Sequence, residues 1–82
     1  MSYKLWYLDA WGEELSVIEF SSKDIAIAQM YRAYDDTDWG HNPDTALPHQ
    51  ICGVVITQGD RDKYVDSIGP IQVIEEFKKC LL

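Results

Sequence analysis

The stretch ICGVVIT, residues 51–57, is nearly all apolar and rich in β-branched side chains. Residues of this kind favour strands, and a strand without alternating polar positions is covered on both of its faces. We therefore expect residues 51–57 to form a strand that is covered on both faces.

Three further stretches have the composition of strands. The first, YKLWYLDAW at residues 3–11, also carries apolar side chains on both faces. After a turn at Gly12 and Glu13, LSVIEF at residues 15–20 predicts a second strand. The hairpin turn QGDRDK at residues 58–63 leads from the inner strand into a short last strand, YVDSI at residues 64–68. The chain therefore contains two predicted strand pairs.

A helix is predicted after each strand pair. In SSKDIAIAQMYRAY, residues 21–34, Ser21 stands three residues before Asp24, which is a capping-box pattern. Ile27, Tyr31 and Tyr34 follow at the spacing of one helix face. The last stretch, GPIQVIEEFKKCLL at residues 69–82, has a glycine at the expected cap and a proline at the expected first helical position.

The element order and the spacing predict an α+β fold built from a duplicated ββα unit. The turn glycines Gly12 and Gly59 correspond, and the apolar spacing of the first helix recurs in the second. We expect a single domain over residues 1–82, with ββα halves at 1–36 and 50–82 and an acidic crossover loop at 37–49. The expected architecture is a pseudo-duplicated two-layer sandwich: a four-stranded, mainly antiparallel sheet with both helices on one face.

With both helices on one face, the apolar residues on the other face need another cover. One hypothesis is a partner molecule, which could be a second copy of the chain docked through Tyr3, Leu5 and Tyr7, because large exposed apolar patches mark interfaces. The other hypothesis is that the crossover folds over this face and Trp39 fills it. The sequence leaves both open.

The composition excludes several classes of function. A net charge of −7 on 82 residues repels nucleic acid and anionic membrane surfaces, so we expect neither as a direct partner. No window approaches the roughly 18 apolar residues of a membrane span, and the N-terminus has no signal-peptide pattern. The two cysteines, Cys52 and Cys80, fall in predicted core elements. These features together predict a cytoplasmic protein with reduced, buried thiols.

The crossover concentrates residue types that could carry chemistry, but their spacing is poor. A calcium loop fails in both possible registers, because the glycine or the oxygen ligands fall at the wrong positions. His41, His49 and Asp38 remain weak metal candidates, since the two histidines are not at the short spacing that zinc sites use. Cys52 lies three residues after His49, so the two side chains point to opposite faces of an extended chain. We expect no enzymatic activity and no cofactor.

An acidic surface interleaved with aromatic side chains is the remaining signal. No Lys or Arg occurs between Arg32 and Arg61, and interface cores favour Trp and Tyr while surrounding acids attract a basic partner. The expected contact residues are Asp35, Asp36, Asp38, Trp39 and Asp44, with Tyr34, Trp11 and Glu13 at the flank. They predict a non-enzymatic protein-binding module, an inhibitor that occludes a basic and possibly nucleic-acid-binding surface of a larger protein.

In size, acidity and lack of catalytic motifs the chain resembles the small inhibitors that bacteriophages carry, including anti-CRISPR and anti-restriction proteins, and small immunity proteins. The resemblance is one of type, without motif residues to carry over. It implies a viral protein that mimics nucleic acid in the cytoplasm of an infected cell. The alternatives are a small metal- or ligand-binding domain that uses His41, His49 and Asp38, and a structural homodimer.

Overall fold

Two strands followed by a helix occur twice along the chain, as predicted. The computed structural model describes residues 2–81. Its elements are β1 (Tyr3–Leu8), β2 (Glu14–Phe20), α1 (Lys23–Tyr34), β3 (Gly53–Gln58), β4 (Lys63–Ile68), α2 (Ile71–Lys78) and a final 3-10 turn (Lys79–Leu81). The strands form one antiparallel sheet in the order β2-β1-β3-β4. The α+β class is confirmed. The stretch expected to be covered on both faces contains β3, which is an inner strand.

The two inner strands bury side chains on both faces of the sheet. Leu5 of β1 and Val54 of β3 belong to one apolar cluster, whereas Leu8 and Val55 belong to a second cluster. All four side chains are fully buried. Successive residues of a strand point to opposite faces, so the two clusters lie on opposite sides of the sheet.

Each helix covers one of these faces. Ala26 and Met30 of α1 pack in the cluster of Leu5, and Val73 and Phe77 of α2 pack in the cluster of Leu8. The prediction that both helices share one face is therefore wrong. Its physical reason is the pattern of the inner strands themselves, because a layer on one face alone would leave the second set of fully buried side chains in water.

The pseudo-duplication is not confirmed. A twofold relation between the two ββα halves would exchange β1 with β3, which pair antiparallel at the centre of the sheet. Such an axis is perpendicular to the sheet and would keep both helices on the same face, contrary to the packing of α1 and α2. The similar spacing of the two halves reflects two elements that each bury an apolar stripe.

The apolar face expected to mediate a homodimer is covered by the chain's own helix. Tyr3, Leu5 and Tyr7 belong to the cluster beneath α1, where Leu5 is fully buried and the two tyrosines are partly buried. Burial also raises the pKa of the Tyr7 hydroxyl. The expected dimer contact through these three side chains is therefore wrong, since α1 already occupies it.

The helices begin one residue later than the sequence predicts. The cap of α1 is Ser22, whose hydroxyl oxygen accepts the N–H of Ile25, and not Ser21. The cap of α2 is Pro70, whose extended backbone lets the helix begin at Ile71, and not Gly69. None of the helices within residues 2–81 combines the length and the apolarity that a bilayer crossing demands.

Gly53 and the cysteines show how closely α2 packs on the sheet. A Cβ at Gly53 would lie 2.9 Å from a methyl group of Val73, so the glycine admits the helix side chains to the strand. Cys52 is buried beside this contact, but Cys80 is exposed in the final 3-10 turn. Both thiols are free, and the expected burial of Cys80 is wrong.

Candidate functional site

The segment that joins α1 to β3 comprises residues 35–52 and is longer than the crossover predicted at 37–49; the whole segment is called the crossover loop below. Backbone hydrogen bonds order it at both ends. The N–H of Asp35 donates to the carbonyl oxygen of Tyr31 over 3.0 Å, and the N–H of Gly40 donates to that of Ile51 over 2.8 Å. The second bond ties the two arms of the loop together just before β3 begins.

Trp39 anchors the crossover loop in the core. Its side chain is only 4% exposed and belongs to the cluster under α1. The ring of Tyr34 meets it edge-on with centroids 5.2 Å apart, and His41 meets the same tyrosine at 5.3 Å. The loop does fold over the sheet with Trp39 inside, on the face that α1 also covers. Trp39 is therefore a core residue and presents no surface to a partner, contrary to its expected role.

The side chain of Gln50 closes the loop from within. Its amide oxygen accepts the N–H of Leu47 over 3.0 Å, and its amide nitrogen donates to the carbonyl oxygen of Asp38 over 2.8 Å. One side chain thus joins two parts of the loop that are distant in sequence. Nothing in the local sequence pattern distinguishes Gln50 from other polar loop residues, so sequence reasoning missed it.

The four aspartates of the loop display their charge outward. Asp35, Asp36, Asp38 and Asp44 are all exposed. A carboxylate oxygen of Asp36 accepts the N–H of Asp38 over 2.9 Å, and the side-chain oxygen of Asn42 accepts the N–H of Asp44 over 3.0 Å. These local turns hold the backbone at both acidic positions.

None of the loop aspartates is neutralised by an ion pair with another described residue. The ion pairs within residues 2–81 are Lys4–Asp62, Lys78–Glu75 and Lys79–Glu76. The acids of α2 are thus paired with lysines of the helix end, whereas the loop acids face solvent. This contrast makes the crossover loop a surface of uncompensated negative charge.

A groove of about 760 Å³, here called the crossover groove, runs between α1 and the crossover loop. Its lining mixes apolar side chains with Arg32, Asp36, Asp38 and His49. His41 does not line it. Within residues 2–81 no three side chains of the His, Cys, Asp or Glu types gather closely enough to hold a metal ion. The described part of the chain therefore offers no ligand set built from His41, His49 and Asp38.

The flanking contact residues Trp11 and Glu13 lie in a different place. They line a second groove, here called the turn groove, which is formed by the β1–β2 turn and the end of α2. The turn is held by the buried carboxylate of Asp9, which accepts the N–H groups of Trp11 at 2.8 Å and Glu13 at 3.0 Å. Among the described residues, none lines both grooves, so the expected contact set divides between two surfaces.

The thiol of Cys52 does not have the environment of a nucleophile. Burial raises its pKa, and the negative charge of Asp9 raises it further. A reactive cysteine needs the opposite, a lowered pKa and access to solvent. The sequence proximity of Cys52 to His49 therefore does not translate into an activated pair.

Comparisons with known proteins give no match for this chain, whether to a family model, to a curated protein or to a solved structure.

Proposed function

We propose that the protein is a non-enzymatic interaction module that binds a basic surface of a larger protein through the carboxylates of the crossover loop. The observation that carries this proposal is the exposure of Asp35, Asp36, Asp38 and Asp44 without ion pairing to any described residue. Charges that a protein does not neutralise itself are available to attract and orient a partner of opposite sign.

The order of the loop supports the same function. Three contacts hold the loop backbone: the hydrogen bond of the Gln50 amide, the turn at Asp36 and the packing of the buried Trp39. A preformed surface loses less conformational entropy on binding than a flexible one. The carboxylates are thus presented to a partner in a defined arrangement.

A basic surface on a larger protein is often a nucleic-acid-binding surface, because phosphate contacts require Lys and Arg. A small acidic domain that occupies such a surface excludes the nucleic acid from it. We therefore propose an inhibitor of the anti-CRISPR or anti-restriction type, acting in the cytoplasm of a cell or of an infected host cell. The free thiols of Cys52 and Cys80 fit a reducing compartment.

The crossover groove supports a second candidate function. Its volume of about 760 Å³ lies within the range of small-molecule sites, and Asp38 and His49 supply polar groups beside an apolar lining. A small polar ligand bound there would make the protein a ligand-binding domain. Substitutions of Leu47 or Ile51 separate the two functions, since they would weaken a ligand of the groove while leaving every surface charge in place.

The main proposal is tested by neutralising charge without changing shape. In the variant D35N/D36N/D38N the amide oxygen introduced at position 36 can still accept the N–H of residue 38, so the turn survives. The matched control E19Q/D24N/D60N removes three exposed carboxylates that lie outside the loop and form no ion pair with a described residue. Each variant and the wild type are immobilised, and a lysate of the native host is passed over them.

We expect the wild type and the control to retain the same basic protein, and the loop variant to lose it. Double-stranded DNA added to the lysate should release that protein if its nucleic-acid-binding surface is the one occupied. Equal retention by all three forms would overturn the role of the loop acids. If DNA does not release the retained protein, the proposed inhibition of nucleic-acid binding is wrong, and only the proposed protein binding is supported.

A further inference from the structure

We propose that the turn groove binds an arginine side chain presented by a basic segment of a partner protein. The site lies apart from the crossover loop and uses none of its aspartates. The inference therefore stands or falls independently of the function proposed for the loop.

Three aromatic side chains line the turn groove. Trp6 and Phe77 line it with ring centroids 5.3 Å apart. Trp11 also lines it, and its side chain is 61% exposed. The groove measures about 450 Å³, which is enough room for one long side chain. An exposed tryptophan beside a partly apolar groove has the character of an interface anchor.

The charge of the groove selects a cation. Four acidic residues line it, Glu13, Glu14, Asp62 and Glu76, and its described lining residues include no Lys or Arg. Asp62 and Glu76 are already paired, with Lys4 at 3.2 Å and with Lys79 at 3.1 Å. Glu13 and Glu14 form no ion pair with a described residue, so they are the two carboxylates available to an incoming guanidinium.

The turn that carries Trp11 is rigid. Asp9 holds the N–H groups on both sides of Gly12, and Gly12 itself lies against α2. A Cβ at Gly12 would come within 2.8 Å of the carbonyl oxygen of Val73 and 2.9 Å of the Cβ of Glu76. The turn backbone that bears the indole and Glu13 is therefore held at a set position relative to the helix before any partner arrives.

Arginine fits these features better than lysine or an anion. Its planar guanidinium stacks on the face of a tryptophan ring and donates paired hydrogen bonds to carboxylates at the same time. Lysine offers a point charge without the planar face. Anionic partners such as nucleic acid are repelled by the unpaired carboxylates of Glu13 and Glu14.

The test uses the peptide acetyl-Gly-Arg-Gly-amide and its citrulline counterpart, which has the same shape without the charge. Binding is followed by the ¹⁵N-¹H signal of the Trp11 indole, assigned from its absence in W11L. We expect the arginine peptide to move this signal and to bind at least tenfold more tightly than the citrulline peptide. Equal binding of the two peptides, or shifts only at Trp39, would overturn the proposal.

Variants locate the contact within the groove. E13Q/E14Q should weaken the arginine peptide at least fivefold, whereas E19Q, on the same strand as Glu14 but outside the groove, should leave it unchanged. W11L, followed by the shift of the Trp6 indole, should weaken it about three- to fivefold through loss of the cation–π contact. D35N/D36N/D38N should bind the peptide as the wild type does. Dependence on the loop acids instead of on Glu13 and Glu14 would contradict the site.

Discussion

The side-chain amide of Gln50 donates a hydrogen bond to the backbone carbonyl oxygen of Asp38 over 2.8 Å, across twelve positions of sequence. The same side chain accepts the N–H of Leu47 with its oxygen. The acidic part of the crossover loop is thus fixed to the arm that enters β3. The position of the acidic side chains therefore depends on Gln50, a neutral residue outside the acidic segment.

This relationship predicts distinct effects for two substitutions of Gln50. Q50A removes both hydrogen bonds and should lower the free energy of unfolding by about 1–2 kcal/mol. Q50E keeps an acceptor for Leu47 but loses the donor to Asp38, so the acidic arm alone should loosen. Amide hydrogen exchange checks this: Q50E should speed exchange at Trp39 and Gly40 and leave Leu47 protected. Unchanged exchange at Trp39 would show that the Gln50 hydrogen bond does not order the arm.

Truncation of the two tryptophans expected to be contact residues should change the free energy of unfolding by very different amounts. W39A removes a side chain that is 4% exposed and should cost about 3–5 kcal/mol, enough to unfold much of so small a domain. W11A removes one that is 61% exposed and should change stability by about 0.5 kcal/mol or less. Urea unfolding followed by circular dichroism measures both, with W39F as a milder variant if W39A does not fold. A larger loss for W11A than for W39A would contradict the packing described.

The turn glycines offer a matched pair of backbone tests. Gly12 and Gly59 have nearly equal positive φ angles, 78° and 77°, but of the two only Gly12 has neighbouring atoms within 4 Å of where a Cβ would lie. G59A should therefore cost only the backbone strain, about 1–2 kcal/mol. G12A should cost a further 1–3 kcal/mol, roughly, because its methyl group meets the backbone of α2. Equal losses in urea unfolding would show that the turn is not pressed against the helix.

The buried thiol predicts a fall of stability at alkaline pH. Burial and the charge of Asp9 raise the pKa of Cys52 in the folded chain above the ordinary value of a thiol. The unfolded chain therefore loses this proton first, so the contribution to stability is complete below the ordinary pKa and is lost as the pH rises through the raised one. C52A should show a shallower decline than the wild type when urea midpoints are compared between about pH 7.5 and pH 10. Parallel declines would assign the effect to other groups.

The sheet was predictable because its inner strands carry a strong local signal. Apolar residues on both faces of Tyr3–Leu8 and Gly53–Gln58 indicate strands that are covered on both faces, and turn glycines separate the strands of each pair. The same pattern also indicates a helix on each face, since Leu8 and Val55 need a cover that α1 cannot provide. The prediction of a duplicated ββα unit instead placed α2 on the wrong face.

Of the candidate site, the sequence predicted the exposure of the loop aspartates. It could not predict the position of Trp39, because a tryptophan in an acidic segment gives the same pattern whether it packs in the core or contacts a partner. Trp39 proved to be the anchor because the cluster under α1 has room for it. Glu14 lines the turn groove, and Asp9 holds the turn beside it, through tertiary contacts that no sequence spacing records.

The proposed role of the loop carboxylates is to bind a basic partner. Its most direct measurement is the dissociation constant of the captured partner, determined by calorimetry at several salt concentrations for wild type, D35N/D36N/D38N and E19Q/D24N/D60N. We predict that the loop variant binds about tenfold to a hundredfold more weakly and with a smaller dependence on salt, while the control stays within about threefold of wild type. Equal dissociation constants for the two variants would contradict the claim.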